Sequence, residues 1–347
     1  MGRLFTKTRR SFAFACLAIL ILGSAQACEK KDLEPAFPTQ SVPAPVMASQ
    51  TATIPTELVQ TVSVGSGLLD DLAPGDNERS LVFAGVARKY ILHIPPGFDN
   101  SRPVPLVLAF HGVGLDANEM IRISGFSSQS DSAGFVVVYP NGTGATQSWN
   151  GGHCCGVAAR DNVDDVGFVR SLIGDLSTTL NIDPKRIYAT GFSNGAILTY
   201  RLACELSDLL AAVGPVSATQ VLEDLQACKP GRPVALIHFH GTADDPNPYE
   251  GGTTPGGFQF ISVEAAIQFW VDFNDCPAEP QSSASGSIRH DIYSSCKSGS
   301  AVELYTIDGG KHAWPGGEAV NQTMGEPNME ISATQIMWEF FAAHPMP

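Results

Sequence analysis

The sequence predicts an α/β domain, a mostly parallel sheet with helices on both faces. Three observations predict it. Short apolar runs alternate with longer segments of helical periodicity over residues 76–347. Two of the runs are apolar without interruption, as strands covered on both faces are. Residues able to do chemistry recur just past the ends of predicted strands, where ligands bind in open parallel sheets.

Taken in order, residues 89–94 read as a strand that stops at Pro95-Pro96-Gly97. Leu106-Val107-Leu108-Ala109-Phe110 is a central strand buried on both sides, and Phe135-Val136-Val137-Val138-Tyr139 is a second. Between them, residues 118–133 are expected to form one helix. Val166, Val169, Leu172, Ile173 and Leu176 fall at helical spacing within residues 163–180. Asp164 and Asp165 open that segment, where carboxylates satisfy free N–H groups and complement the helix dipole. Arg186 to Thr190 is β-branched and aromatic enough for a buried strand, and residues 196–204 then read as a helix. Further strands are expected at 211–216, 234–238 and 302–307, with helices at 263–273 and 332–343.

The chemistry concentrates in three places. Gly191-Phe192-Ser193-Asn194-Gly195 is a G-x-S-x-G turn. Alone it is weak evidence in a chain with 34 glycines. Here it sits between strand and helix, the setting that exposes a serine oxygen on a strained elbow. Asp244 follows the strand and turn ending His240-Gly241-Thr242, and His312 lies in Gly309-Gly310-Lys311-His312. The chain order Ser, Asp, His is that of an α/β-hydrolase triad. A serine hydroxyl is poorly nucleophilic at neutral pH, so it needs a neighbouring base. Ser193 is therefore the candidate nucleophile, His312 its base, and Asp244 the acid that orients the imidazole. Asp245 is adjacent, and Asp244 is preferred for its shorter reach. Backbone amides of Asn194 and of the His111-Gly112-Val113-Gly114 loop, Val113 in particular, are the candidate oxyanion donors. His111 and His240 are expected to brace their loops by hydrogen bonds. Trp149 and Trp314 lie in loops on the same edge and could offer flat apolar walls to a substrate. No metal or cofactor is called for.

The front end reads as an export signal. Arg3, Lys7, Arg9 and Arg10 precede an apolar run of eleven residues, 12–22, and Ala25-Gln26-Ala27 is a small-residue cleavage site. Residues 1–27 are thus a signal peptide, too short in its apolar part to span a bilayer comfortably. Cys28 directly follows, so lipidation there stands beside simple cleavage. Thr8-Arg9-Arg10-Ser11-Phe12 also resembles a twin-arginine signal. Residues 28–75, rich in Pro, Ser, Thr and Val without periodicity, read as a flexible tether. The expected location is extracellular or periplasmic, with possible attachment to the cell surface through a lipidated Cys28. A formal charge of −14 with only 16% charged residues argues against nucleic acid or an anionic membrane surface as partner.

Of the eight cysteines, six lie beyond Cys28, an even number that suggests disulfides in an exported chain. Local loop closure favours Cys204–Cys228 and Cys276–Cys296. Cys154 and Cys155 are then left to each other as a vicinal bridge, or free. Metal binding by this pair with His153 is the weaker rival, since no second ligand cluster appears.

Arg88-Lys89-Tyr90, His111-Gly112, Tyr139-Pro140-Asn141-Gly142, Trp149-Asn150, Cys154-Cys155-Gly156, the run from Val163 to Phe168, Gly191 to Gly195, His240 to Asp244, Pro248-Tyr249-Glu250-Gly251-Gly252 and His312 to Gly317 occur in that order. Together they resemble the secreted polyhydroxybutyrate depolymerase/feruloyl esterase family over about residues 80–345. The resemblance implies an α/β-hydrolase fold and cofactor-free serine esterase activity, with Asp244 as the family's aspartate. Tyr249 joins the two tryptophans as a substrate-binding candidate. Two positions depart from the pattern. Val113 stands where the family often has cysteine, and Asn247 where a small apolar residue is usual. Family enzymes that attack solid polyester commonly carry an added adsorption domain, for which this length leaves no room. The expected substrates are therefore small or oligomeric esters: feruloylated or acetylated sugar fragments, or short hydroxyacid esters. The alternatives are a depolymerase acting on polymer and a non-enzymatic binding protein on a hydrolase fold.

Overall fold

The computed structural model describes residues 72–254 and 257–347. The expected signal peptide, Cys28 and nearly all of the expected tether lie outside the described residues.

In chain order the elements begin with a hairpin, β1 (Gly75–Phe83) and β2 (Val86–Ile94), then β3 (Val104–Phe110). Helices α1 (Ala117–Ser124) and α2 (Phe126–Ala133) lead to β4 (Val136–Pro140). After α3 (Gly156–Arg160) and α4 (Asp165–Thr179) come β5 (Ile182–Phe192) and α5 (Asn194–Glu205). Then follow β6 (Ala212–Val216), α6 (Leu222–Ala227) and β7 (Ala235–Gly241). A short ribbon, β8 (Gly252–Thr253) and β9 (Gln259–Phe260), precedes α7 (Val263–Phe273). A second hairpin, β10 (Gln281–Ser285) and β11 (Ile288–Tyr293), leads to β12 (Val302–Ile307) and the closing α8 (Ala333–Ala343).

The main sheet has ten strands in the order β1-β2-β4-β3-β5-β6-β7-β12-β11-β10. From β4 to β12 every neighbouring pair is parallel. The flanking hairpins pair antiparallel and close the two margins. β3, β4, β6 and β7 are buried along their whole length; β3 and β4 are accordingly continuous apolar runs, whereas β7 carries His238 and His240 among its apolar residues. One layer of core joins sheet residues such as Leu106, Leu108 and Val138 to Phe168 and Leu172 of α4, Leu198 of α5 and Trp270 of α7. The opposite layer joins Val107, Val137 and Ile237 to Met120 of α1, Phe126 of α2 and Met337 and Phe341 of α8. Helices therefore cover both faces, which is the architecture of an α/β-hydrolase. No helix among the described residues is long and apolar enough to cross a membrane.

Two local expectations need correction. The single helix over residues 118–133 is broken at Gly125, where φ is +66°. Asp116 starts α1 with a reciprocal capping box to Glu119, so the first helix also begins earlier than its apolar pattern suggests. Asp164 does cap α4, accepting from the Gly167 amide. Asp165 instead points inward and is fully buried against Arg88, at 2.7 Å. Among the described residues the disulfides are Cys204–Cys228, Cys276–Cys296 and Cys154–Cys155.

Candidate active site

Ser193 stands immediately after β5, Asp244 three residues after β7 and His312 five residues after β12. These strands belong to the parallel run β5-β6-β7-β12 at the middle of the sheet, so their following loops gather at one edge. Ser193 has φ +56° and ψ −120°, a conformation rarely adopted by a residue with a side chain. The turn holds it there: the Ser193 amide donates to the Val216 carbonyl at 3.0 Å, and its own carbonyl accepts from Ala196 at 2.8 Å. Position 195 tolerates only glycine, because a Cβ there would collide with the Phe110 carbonyl of the neighbouring strand.

His312 Nε2 lies 2.9 Å from Ser193 Oγ. On the other side of the ring, Nδ1 lies 2.8 and 3.0 Å from the two carboxylate oxygens of Asp244. A carboxylate can only accept here, so Nδ1 carries a proton, and in the neutral ring Nε2 accepts from the Ser193 hydroxyl. All three groups are at least nine-tenths buried. The neighbouring Asp245 is exposed.

The loops that carry these groups are fastened to one another. The Ala243 amide donates to the Gly310 carbonyl at 2.8 Å, which ties the Asp244 loop to the His312 loop. At Gly241 the two come so close that a Cβ would collide with Gly310. Ser217, after β6, donates its hydroxyl to the Ala313 carbonyl at 3.1 Å and steadies the histidine loop. The Phe192 ring lies against the imidazole, with centroids 4.8 Å apart. The Asn247 amide donates to Asp244 Oδ1 at 2.9 Å, which fixes the carboxylate in its turn.

The candidate oxyanion donors come from two segments. Asn194 is the first residue of α5, where a backbone N–H has no acceptor within the helix. Gly112, one residue before Val113, abuts the serine: a Cβ placed on it would lie 3.3 Å from Ser193 Cβ. The same loop is pinned by its glycine amide at 114, which donates to the Gln147 carbonyl at 2.8 Å. His111 braces it from within. Nδ1–H donates to the Gly112 carbonyl at 2.7 Å, and Nε2 accepts from the Gly142 amide at 2.9 Å. Burial pushes the His111 imidazole down to about 4, so it stays neutral over the working range.

The three aromatic candidates for a substrate wall are placed otherwise. Trp149 and Trp314 are fully buried and Tyr249 nearly so. Trp149 Nε1 donates to the His111 carbonyl at 3.0 Å. Trp314 Nε1 donates to Thr334 Oγ1 at 2.9 Å, and its ring packs edge-on against Phe126. The Tyr249 hydroxyl shares a hydrogen bond with Thr306 Oγ1 at 2.8 Å. A loop position predicts exposure, but each of these rings found a polar partner for its one polar atom and could be buried without loss. They support the loops, with their rings withdrawn from solvent.

A layer of buried polar groups beneath the site was not expected. The Asn194 carboxamide clasps the Trp149 backbone, and the next amide, Asn150, donates to Asp165 Oδ2 at 2.8 Å. Asp165 pairs with Arg88, whose guanidinium lies 4.0 Å above the Phe168 ring. Burial pushes the Asp165 carboxyl upward, against the pull of Arg88 and the Asn150 amide. The adjacent Asp164-Asp165 pair was the available signal, but local sequence could not say that one of them faces inward. The vicinal pair also has its own partners: Cys154 is bonded to Cys155, and His153 Nδ1 lies 2.7 Å from Asp224. Among the described residues no cluster of histidine, cysteine and carboxylate could hold a metal ion.

A geometry of this kind can be set beside known proteins. The sequence model of the family described as esterase PHB depolymerase matches residues 88–230. The putative esterase NocK of Nocardia uniformis subsp. tsuyamanensis is 30% identical over 330 residues, covering 89% of this chain and 90% of that protein. The chain belongs to this esterase family. A probable feruloyl esterase C of Aspergillus niger is also 30% identical to this esterase, over 78% of this chain and 91% of that protein. Feruloyl esterase B of Piromyces equi is 32% identical over 234 residues, and the match spans only 42% of that protein's length. Among solved structures, an acetyl xylan esterase from Aspergillus awamori superposes with a TM-score of 0.55 over 77% of this chain and 99% of the other, at 13% identity. That likeness establishes the α/β-hydrolase fold.

Proposed function

We propose that this esterase is a serine carboxylic-ester hydrolase acting on feruloyl or acetyl esters of sugars, or on short hydroxyacid esters. The observation that carries this reading is the continuous relay from Ser193 Oγ through His312 to Asp244, with links of 2.9 and 2.8 Å. Ser193 Oγ attacks the ester carbonyl while His312 Nε2 takes its proton. Asp244 holds the imidazole tautomer and stabilises the imidazolium without itself being protonated. The tetrahedral oxyanion lies between the amides of Asn194 and Val113. Collapse expels the alcohol, which receives the proton from His312, and leaves an acyl group on Ser193. Water, deprotonated by the same histidine, then releases the acid.

The family relatives named for feruloyl esters support the substrate class. We place the catalytic domain at about residues 76–347, behind a tether, in a chain exported through its leader. Three disulfides suit an oxidising compartment. Mass spectrometry of the mature N-terminus separates plain cleavage before Cys28 from lipidation on it.

The test is a hydrolysis panel on the mature protein and on Ser193→Ala: p-nitrophenyl acetate, methyl ferulate, acetylated xylan and a hydroxybutyrate trimer. The expected result is turnover of at least one ester by the wild type and none by the variant. An organophosphonate should label the wild type at Ser193 alone. Near-normal turnover by Ser193→Ala overturns the reading.

A further inference from the structure

Behind Asp244 lies a buried string of titratable groups that the esterase reaction does not use. Tyr200, on α5, and His238 and His240, on β7, are all essentially inaccessible to solvent. The Tyr200 hydroxyl lies 3.0 Å from His238 Nδ1. His238 Nε2 lies 3.0 Å from His240 Nδ1. His240 Nε2 lies 2.8 Å from the Asn247 carbonyl and 3.5 Å from Asp244 Oδ2. The two histidines face the same way because alternate residues of a strand share a face.

The end of the string dictates its direction. A carbonyl oxygen can only accept, so His240 Nε2 must carry a proton. Burial pushes His240 below its ordinary value, and His238 well below. Both rings are therefore neutral, with one proton each. His240 Nδ1 is then bare and must accept from His238 Nε2–H. His238 Nδ1 is bare in turn and must accept from the Tyr200 hydroxyl. Every donor points toward Asp244. The charged or titratable groups around His240 are His238 on its own strand, Tyr200 from α5, Asp244 and Tyr249 from the following loop, and His312 from the loop after β12.

We infer that Tyr200, His238 and His240 form a one-directional hydrogen-bond chain that positions Asp244, with His240 as its working end. His240 holds the Asn247 carbonyl, and the Asn247 amide holds Asp244 Oδ1, so the ring pins the turn that aims the carboxylate. Its N–H also turns its positive end toward Oδ2 at 3.5 Å, a second hold on the carboxylate that orients His312. His240 touches no substrate and moves no proton; it is a positioning residue. The inference rests on Asp244 being the acid of the esterase reaction.

Two measurements test it. The first uses wild-type protein labelled with ¹⁵N-histidine and long-range ¹H–¹⁵N correlation between about pH 6 and 8. The expected pattern is the Nε2–H tautomer at His238 and His240 and the Nδ1–H tautomer at His312, with no titration of His238 or His240. An Nδ1–H or doubly protonated ring at His238 or His240 overturns the chain, whatever the catalytic role of the site. The second compares His240→Met, which fills the space without a donor, with His240→Gln, which returns an N–H toward the Asn247 carbonyl. For His240→Met, kcat should fall about tenfold or more with KM changed less than about twofold, and His240→Gln should recover several-fold of the loss. Equal kcat in all three proteins overturns the positioning role. If instead Ser193→Ala stays active, the esterase reading fails, and the tautomers alone decide whether the chain exists.

Discussion

The Asn194 carboxamide and the Trp149 backbone hold each other by two hydrogen bonds, 2.7 Å into Asn194 Oδ1 and 3.1 Å out of its amide nitrogen. Trp149 also donates its indole N–H to the His111 carbonyl at 3.0 Å. One buried residue thus links the first turn of α5 to the loop after β3, the two segments that would supply the oxyanion amides. Their separation depends on buried side chains.

Asn194→Ala removes both bonds and leaves the Asn194-position amide in place. A small displacement of oxyanion donors is costly, so kcat should fall by about tenfold to a hundredfold with little change in KM. Steady-state kinetics on a p-nitrophenyl ester decides it, and an unchanged kcat would show that the clasp does not set the donor geometry.

Asp244→Asn should lower kcat by orders of magnitude, about four where this exchange misorients the histidine of a triad. Asp245→Asn, on an exposed side chain, should be mild. The same assay on both variants separates the neighbours, and a reversed order would assign the acid to Asp245.

Asp165→Ala leaves the Arg88 guanidinium buried without its partner and the Asn150 amide without its acceptor. Removing one member of a buried pair typically costs about 3–5 kcal/mol. Urea unfolding should report a loss of that order, and the double variant Arg88→Met/Asp165→Ala should be more stable than the single one. A loss below about 1 kcal/mol for the single variant would mean that water reaches the pair.

Stability should decline in mild acid. The folded His111 imidazole is lowered from 6.5 to about 4, and His238 and His240 are lowered as well. In the window between those values the unfolded chain binds more protons than the folded one, so stability falls as pH drops from about 6.5 toward 4. His111 alone accounts for roughly 3 kcal/mol across that window. Thermal unfolding at stepped pH, with and without His111→Gln, checks the sign: the variant should show a shallower decline. A midpoint that held steady from neutrality to about pH 4 would refute it.

The strands of the parallel centre were readable because burial on both faces demands continuous apolar runs, as in β3 and β4. The margins were harder. β10 is polar and exposed along its length, so no hydrophobic pattern marks it, and it is a strand only because β11 pairs with it. The break at Gly125 was hidden inside a periodic segment, since one glycine is tolerated in many helices. The vicinal partnership of Cys154 and Cys155 was left open by spacing alone and is settled by the fold.

For the candidate site, local sequence by itself determined which residues could sit at strand ends: the glycine-flanked Ser193, the aspartate after His240-Gly241-Thr242, and the histidine in a glycine loop. Those are short-range patterns of turns, legible without the rest of the chain. Only the tertiary structure decided what meets what. Trp149, Trp314 and Tyr249 look alike in sequence, as aromatics in loops, yet packing buries all three because each finds a partner for its polar atom. Asp164 and Asp165 are neighbours in sequence, but helix geometry sends one to cap the helix and the other toward Arg88, 77 residues away. Hydrogen-bond partners distant along the chain follow from strand order, and strand order is a property of the assembled sheet.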